Sequence, residues 1–474
     1  MLGGGDPPAD ASEPLASSPP SRCERSEHMG QTMVEKIVSR QVGRPVHAGE
    51  LVERLPIAKL FFNDVIGPPA ILILQRLFAD TFKKHGKPVR VFDPRRVFML
   101  PDHSIPAYSV EVAEGVDLME SFGRECGFKV YREGDGIEHV VLIEDGHIVP
   151  WDIVLGTDSH TCTNGAMGAL AFGVGTTDGA YAMVTGHIYD FLVPETFQFE
   201  LTGGFPKGVY GKDLILHIIG TLGAGGCSRL VAEFVGEGVR RLPMDARTTI
   251  CNMAVEMSAR TGIMPTDETL LGYLKGRAQW PVEPLESDPD ARFADRLHVD
   301  LSELEPMVAF PHKPANATPI SQLSEMMARS QAEPGPDFPP IHSDRITDAF
   351  VGACTNGRYD DLVEAAKVLR GHKVHPNVSF VVIPASRKVY ERAMDEGILQ
   401  VIIKAGANVE SSNCGPCFGS HMGVLSKNAQ MISSSNRNYQ GRMGSRDARI
   451  FLASPATVAA SAIEGKIADP RKYL

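Results

Sequence analysis

Ile346-Thr-Asp-Ala-Phe-Val-Gly-Ala-Cys-Thr-Asn-Gly-Arg358 is an apolar run that empties into a polar, glycine-punctuated loop. Residues 346–353 read as a strand, and the spacing of apolar residues over 359–370 predicts a helix behind it. The same order recurs along the chain. Asp152-Ile-Val-Leu155 predicts a strand ending in Gly156-Thr-Asp-Ser-His-Thr161, and the small residues of 165–175 suggest a tightly packed helix. Residues 378–384 read as a further strand followed by a helix; 430–434 leads into Ser435-Asn-Arg-Asn-Tyr-Gln-Gly-Arg442, and 448–453 into a final helix near Ala456. Strand, loop and helix in alternation mark an α/β protein with parallel sheets. Ligands of such sheets bind beyond the carboxyl ends of the strands, so loops far apart in sequence can converge on one cleft.

At 474 residues the chain has room for two or three domains. Residues 287–344 are loop-like and proline-rich and contribute a boundary; the expected division is 29–194, 195–306 and 307–474, all α/β. Residues 1–28 are rich in Pro, Ser and Gly and have no apolar segment, which excludes a secretory signal. They read as a disordered extension, or as a misassigned start with Met29 or Met33 as the first residue.

Lys plus Arg number 47 against 58 Asp plus Glu, a net charge of −11 without a basic run, which argues against nucleic acid as a partner. No apolar run approaches the roughly 18 residues of a membrane span. Eight cysteines, at 23, 126, 162, 227, 251, 354, 414 and 417, are too sparse for a disulfide framework and read as reduced thiols in the cytoplasm.

Three of those cysteines stand in glycine-containing loops: Cys354, and the pair Cys414-Gly-Pro-Cys417. A 4Fe-4S cluster normally takes four cysteines, so three thiolates make an incomplete cage that leaves one iron open to a substrate. Zinc, a redox disulfide and inert thiols compete with that reading; zinc would want a fourth Cys or His, and none is evident near either loop. Asp102-His103 and Asp158-Ser-His160 combine an acid with a histidine, as a proton-transfer pair requires. N-cap aspartates beside surface histidines would give the same pattern. Arg437 and Arg442 flank a turn and could clamp a carboxylate through their planar forks. There is no phosphate-binding loop, no G-x-S-x-G elbow, and Gly168, Gly173 and Gly175 form no dinucleotide fingerprint.

Together GTDSHT (156–161), ICNMAVE (250–256), GACTNGR (352–358), NCGPCFG (413–419) and SNRNYQGR (435–442) closely resemble the aconitase superfamily, in particular its 3-isopropylmalate dehydratase and homoaconitase large subunits. The resemblance runs from about Gly30 to Leu474. It implies that Cys354, Cys414 and Cys417 bind a 4Fe-4S cluster, with Asn252 and Asn436 supporting it. It implies that Asp102 with His103, His139 with Asp158, and His160 with Glu256 assist departure and return of a hydroxyl group. Arg437, Arg442 and Ser159 match binders of the substrate carboxylates, and Asn63 falls where relatives place an amide near substrate.

The segment Phe62-Asn-Asp-Val-Ile-Gly-Pro68 departs from the usual threonine- and alanine-containing version. Cys414-Gly-Pro-Cys417 is closer to aconitase and archaeal-type dehydratases than to other bacterial isopropylmalate subunits. Fused aconitases continue into a mobile fourth domain carrying a base serine and another arginine. The chain stops at Leu474, which implies a small partner subunit bearing that domain and the substrate-selecting loop. The implied reaction is isomerisation of 2-isopropylmalate to 3-isopropylmalate, by dehydration and rehydration, in leucine biosynthesis. Homoaconitase and methylmalate-type dehydratases are the neighbouring alternatives. A cluster-free, RNA-binding iron sensor is the alternative from another class, opposed by the acidity and the missing fourth domain.

Overall fold

The computed structural model describes residues 30–85, 89–419 and 421–474. The expected extension over 1–28 and the alternative start at Met29 lie outside the described residues.

Three larger sheets organise the described residues, beside a two-stranded antiparallel pair of Leu51–Pro56 with His187–Leu192. The first has five parallel strands in the spatial order Lys129–Val130, Val97–Leu100, Lys59–Asn63, Ile153–Gly156, Leu170–Gly173. Its central strand Lys-Leu-Phe-Phe-Asn is buried at every position, as expected where both faces of a parallel sheet are covered. The second is also parallel, ordered Gly262–Ile263, Val231–Val235, Thr196–Thr202, Asp295–Asp300. The third has seven strands: Ala317–Pro319, Met307–Ala309, Arg449–Ala453, Gln430–Ser433, Asp348–Val351, Ser379–Val382, Asn408–Val409. Its last five are parallel, and the first two pair antiparallel at one edge. One apolar cluster, including Phe61, Phe199, Ile250, Phe350 and Cys417, runs through all three sheets and binds them together.

Register decides which loops meet. Phe350 pairs with Ser433 and Val382 with Val409, so the Cys354 turn, the 434–437 turn and the Cys414 loop leave one edge of the third sheet together. In the first sheet Asn63 pairs with Leu100 and Phe61 with Gly156, which brings the starts of the 101–103 and 157–160 loops side by side.

Three expectations are corrected. Residues 165–175 are not a helix: the 3-10 helix Ser159–Met167 ends at Gly168 (φ 72°), and Leu170–Gly173 is a strand. The small residues there serve close approach, since a Cβ on Gly165 would stand 1.7 Å from the carbonyl oxygen of Gly262. The strand expected over 346–353 spans only Asp348–Val351, and Cys354 sits in the short helical turn Ala353–Asn356. Residues 287–344 are far from loop-like, because they hold the strand Asp295–Asp300 and the helix Leu323–Ala332, with proline density concentrated between the elements.

Asp145 fastens the first region to the third. It follows the helix Glu138–Glu144 and accepts from Lys388 Nζ (2.6 Å), Tyr131 Oη (2.8 Å) and Lys129 Nζ (3.2 Å). Burial raises its carboxyl, but these three partners outweigh that and hold it at about 2. A depressed folded-state pKa contributes stability that is present above the unfolded value near ~4 and lost as pH falls toward 2. Asp145→Asn is expected to cost about 1 kcal/mol at pH 7, after discounting for solvent screening. In urea titrations the gap from the native chain should narrow below about pH 4; a gap independent of pH would deny the ionic origin.

Candidate active site at the meeting of the loops

Cys354 lies directly beyond the strand Asp348–Val351, in a turn whose Ala353 adopts φ 64°. A left-handed alanine costs of order 1 kcal/mol, so the surrounding packing holds the turn in place. Cys414 precedes and Cys417 stands within the 3-10 turn Gly415–Phe418, which starts at Gly415 with φ 55°. All three thiols are buried and none is in a disulfide. Asn252 Nδ2 donates to Cys354 Sγ at 3.2 Å, and Asn436 Nδ2 approaches the same sulfur at 3.6 Å. Cys417 Sγ lies 3.5 Å from Asn436 Oδ1. Thr355 Oγ1 links the two amides, donating to Asn252 Oδ1 (2.9 Å) and accepting from Asn436 Nδ2 (3.0 Å).

Burial, with the charges of Cys417 and Asp158, pushes the Cys354 thiol up to about 12, and burial likewise raises Cys414 well above its usual range. Buried thiols so reluctant to ionise become thiolates when a metal displaces their protons. Three sulfurs, with amide donors aimed at one of them, fit an iron–sulfur cage. The expectation that no histidine stands near the cysteines fails in space. Asp102, His103 and Cys414 place ligand-capable atoms within 4.8 Å of one another. Yet both ring nitrogens of His103 already face carboxylates: Nδ1 is 2.6 Å from Asp102 Oδ1 and Nε2 3.7 Å from Asp158 Oδ2. That leaves it poorly disposed as a zinc ligand.

Asp158 is the hub of the acid–histidine groups. It caps the 3-10 helix by accepting from the N–H of His160 at 2.7 Å, the role that the N-cap alternative assigned to it. The same Oδ1 lies 3.0 Å from His139 Nε2 and 3.4 Å from His160 Nδ1. His160 Nε2 reaches Glu256 Oε1 at 3.0 Å. The histidines are not on the surface, because His103, His139 and His160 are all at least nine-tenths buried. Burial raises the Asp158 carboxyl, but hydrogen bonds from the three histidines outweigh it and hold it well below the usual range. Glu256 is lowered too, with burial opposed by His160 and Arg437. Burial dominates at His139, which is lowered and so neutral. At His103 burial is outweighed by the charges of Cys414 and Asp102, which raise it.

The anion-binding candidates divide. Arg437 Nε donates to Glu256 Oε1 at 2.7 Å, and among the described residues its two terminal nitrogens have no hydrogen-bond partner. Its fork therefore remains available at a half-buried position. Arg442 has a buried Nε without a partner and sits against the cysteine loop, its carbonyl oxygen 2.4 Å from where a Cβ on Gly419 would stand. Ser159 Oγ lies 3.5 Å from His160 Nδ1. Asn63 is engaged locally: Oδ1 accepts from the N–H groups of Val65 and Ile66, and Nδ2 reaches Glu138 Oε1 at 3.4 Å.

Four residues of the site escaped the sequence reading. Asp64 accepts from the N–H groups of Asp102, His103 and Ser104 and so fixes that loop. Tyr439 Oη donates to Glu256 Oε2 at 3.0 Å. Glu138 is fully buried, with Oε2 unpartnered; burial and the charges of Asp102 and Asp158 raise it well above the usual range. A glutamate inside the apolar run of residues 137–143 was the available signal. Lys212 is buried behind the cysteine loops.

The family model described as Aconitase family (aconitate hydratase) matches residues 35–465. The chain is 44% identical to the 3-isopropylmalate dehydratase large subunit 1 of Methanopyrus kandleri, over 94% of this chain and 100% of that one. Against the 3-isopropylmalate dehydratase large subunit of Aquifex aeolicus it is 43% identical, over 93% and 97%. Among solved structures, aconitase X of Thermococcus kodakaraensis in its holo form aligns with a TM-score of 0.47 and 14% identity, covering 90% of this chain and 97% of that one.

Proposed function

This chain belongs to the aconitase family, and on that footing we propose that it is the large subunit of a 3-isopropylmalate dehydratase, a hydro-lyase that isomerises 2-isopropylmalate to 3-isopropylmalate. The observation that carries the reading is the convergence of three buried cysteines with an Asp158-centred set of histidines and the open fork of Arg437. Cys354, Cys414 and Cys417 would hold a 4Fe-4S cluster, which when bound supplies a Lewis-acidic iron to the hydroxyl and carboxylate of a 2-hydroxy dicarboxylic acid. Asn252 and Asn436 orient its sulfur ligands.

Hydroxide is a poor leaving group and needs a proton. His103, paired through Nδ1 with Asp102, can supply that proton from Nε2, which faces Asp158, and Asp64 fixes the backbone of the pair. His139 and His160 stand on the other side of Asp158, where an imidazole can take a proton from water as the hydroxyl is restored at rehydration. Arg437 offers two terminal nitrogens to a substrate carboxylate while Glu256 fixes its Nε, and Arg442 and Ser159 line the same approach. The base for the α-proton and the loop that selects the side chain are assigned to a small partner subunit. The three sheets are taken as domains 29–194, 195–306 and 307–474. No helix among the described residues is long and apolar enough to cross a membrane; with free cysteines, the cytoplasm is the compartment we assign.

The test is anaerobic reconstitution with iron and sulfide, followed by assay with the small subunit. Broad visible absorbance and turnover of 2-isopropylmalate are expected. One bound zinc without sulfide would refute the cluster. Turnover of only homocitrate-derived or methylmalate-type acids would move the substrate. Arg437→Lys should lower kcat/KM by about 10²-fold or more while iron content stays native, because lysine cannot reproduce a bidentate contact. Unchanged kinetics would remove Arg437 from the substrate site.

A further inference from the structure

Lys212 stands in the first turn of the helix Gly211–Leu222 and is fully buried. Neither circumstance favours a lysine. A cation at a helix N-terminus opposes the helix dipole, and burial removes the ammonium from water, pushing it down to about 7. Its three donors are nonetheless all used, on Ser434 O (2.6 Å), Ser435 O (2.6 Å) and Asn356 Oδ1 (3.2 Å).

No carboxylate is among those acceptors. Asp361 and Asp213 face the ammonium, but each is engaged elsewhere. Asp361 accepts from Asn356 Nδ2 and the N–H of Arg358, and Asp213 from the N–H groups of Tyr210 and Met307. Burial raises both carboxyls to about 7, so neither offers a secure counter-charge. The sulfurs of Cys417 and Cys354 also act on the Lys212 ammonium and would be negative once they are thiolates.

Its acceptors belong to the two turns that build the site. Asn356 lies two residues beyond Cys354, and Ser434 and Ser435 lead straight into Asn436, which meets Cys354, and Arg437, which meets Glu256. We propose that Lys212 is a positioning residue for the sulfur cage: its ammonium ties the Cys354 turn to the Asn436–Arg437 turn and supplies the positive charge that three thiolates and their inorganic core require behind them. The inference rests on the cluster reading above and adds a residue to it. An apolar side chain of similar length would fill the same space but leave Ser434 O, Ser435 O and Asn356 Oδ1 without a donor. The tie between the two turns therefore explains this lysine better than packing alone does.

Lys212→Gln keeps an N–H donor and removes the charge; Lys212→Met removes both. Each is compared with the native chain for melting of the metal-free protein, iron and sulfide per chain after anaerobic reconstitution, and the rate at which visible absorbance bleaches in air. The metal-free Lys212→Met chain should still fold but melt below the native temperature, because three buried oxygens lose their donor, with Lys212→Gln between the two. Both variants should bleach at least about tenfold faster than the native chain, as loss of a nearby compensating charge predicts. Native iron content and native bleaching in Lys212→Gln would overturn the proposal. So would failure of both metal-free variants to fold, since Lys212 would then be a packing residue. A native chain that takes up no iron or sulfide sinks the cluster reading itself, a result distinct from equal uptake by native and variant chains.

Discussion

Asp158→Asn is expected to lower turnover by about three orders of magnitude while iron content stays near the native value. The substitution is nearly isosteric, and its remaining oxygen can still accept from the N–H of His160, so the cap of the 3-10 helix survives. What is lost is a negative charge shared by three histidines, at 3.0 Å from His139, 3.4 Å from His160 and 3.7 Å from His103. Without it the imidazolium forms of His103 and His139 become harder to form, and an amide nitrogen in place of Oδ2 or Oδ1 meets ring nitrogens in the wrong tautomer. Proton transfer to and from the substrate oxygen suffers at both stages. The check is kcat at saturating substrate beside iron and sulfide per chain. Turnover within tenfold of native would mean that Asp158 is only the helix cap.

Cys354→Ser is expected to abolish both iron retention and activity, with turnover below about 1% of native. A serine hydroxyl does not ionise near neutral pH, so one corner of the three-point cage is lost. The metal-free fold should survive. Asn252 and Asn436 can donate to a hydroxyl oxygen as they do to Sγ, and the backbone of the turn is fixed by its neighbours rather than by the sulfur. Circular dichroism and melting of the metal-free chain therefore separate loss of the cage from loss of the protein. A full complement of iron and sulfide in the variant would refute the assignment of Cys354 as a ligand.

Much of this was legible in the sequence, and the exceptions are instructive. Strands ending in polar loops at Gly156, Val351 and Ser433 follow from local apolar runs stopped by glycine and serine, a pattern that needs no tertiary information. The small residues of 165–175 misled because smallness is compatible with a packed helix and with a backbone pressed against Gly262, and only the fold distinguishes them. Proline density over 287–344 suggested loops, whereas Asp295–Asp300 is held as a strand by pairing with Thr196–Thr202. Asp64 carried no signal as a residue that shapes the site. Its role consists of accepting from the backbone of residues about 40 positions away.

From the chain of letters alone came the residue types that the chemistry requires: three cysteines in flexible-backbone loops, histidines next to acids, and arginines around a turn. These are local facts, set by side-chain chemistry and short-range spacing. Only the folded molecule decided that Asp158 serves three histidines at once, that His103 stands beside Cys414, and that Lys212 reaches across to two loops more than 140 residues away. Those relations depend on strand register in two separate sheets and on burial. Register and burial are properties of the whole packed chain, which no segment carries by itself.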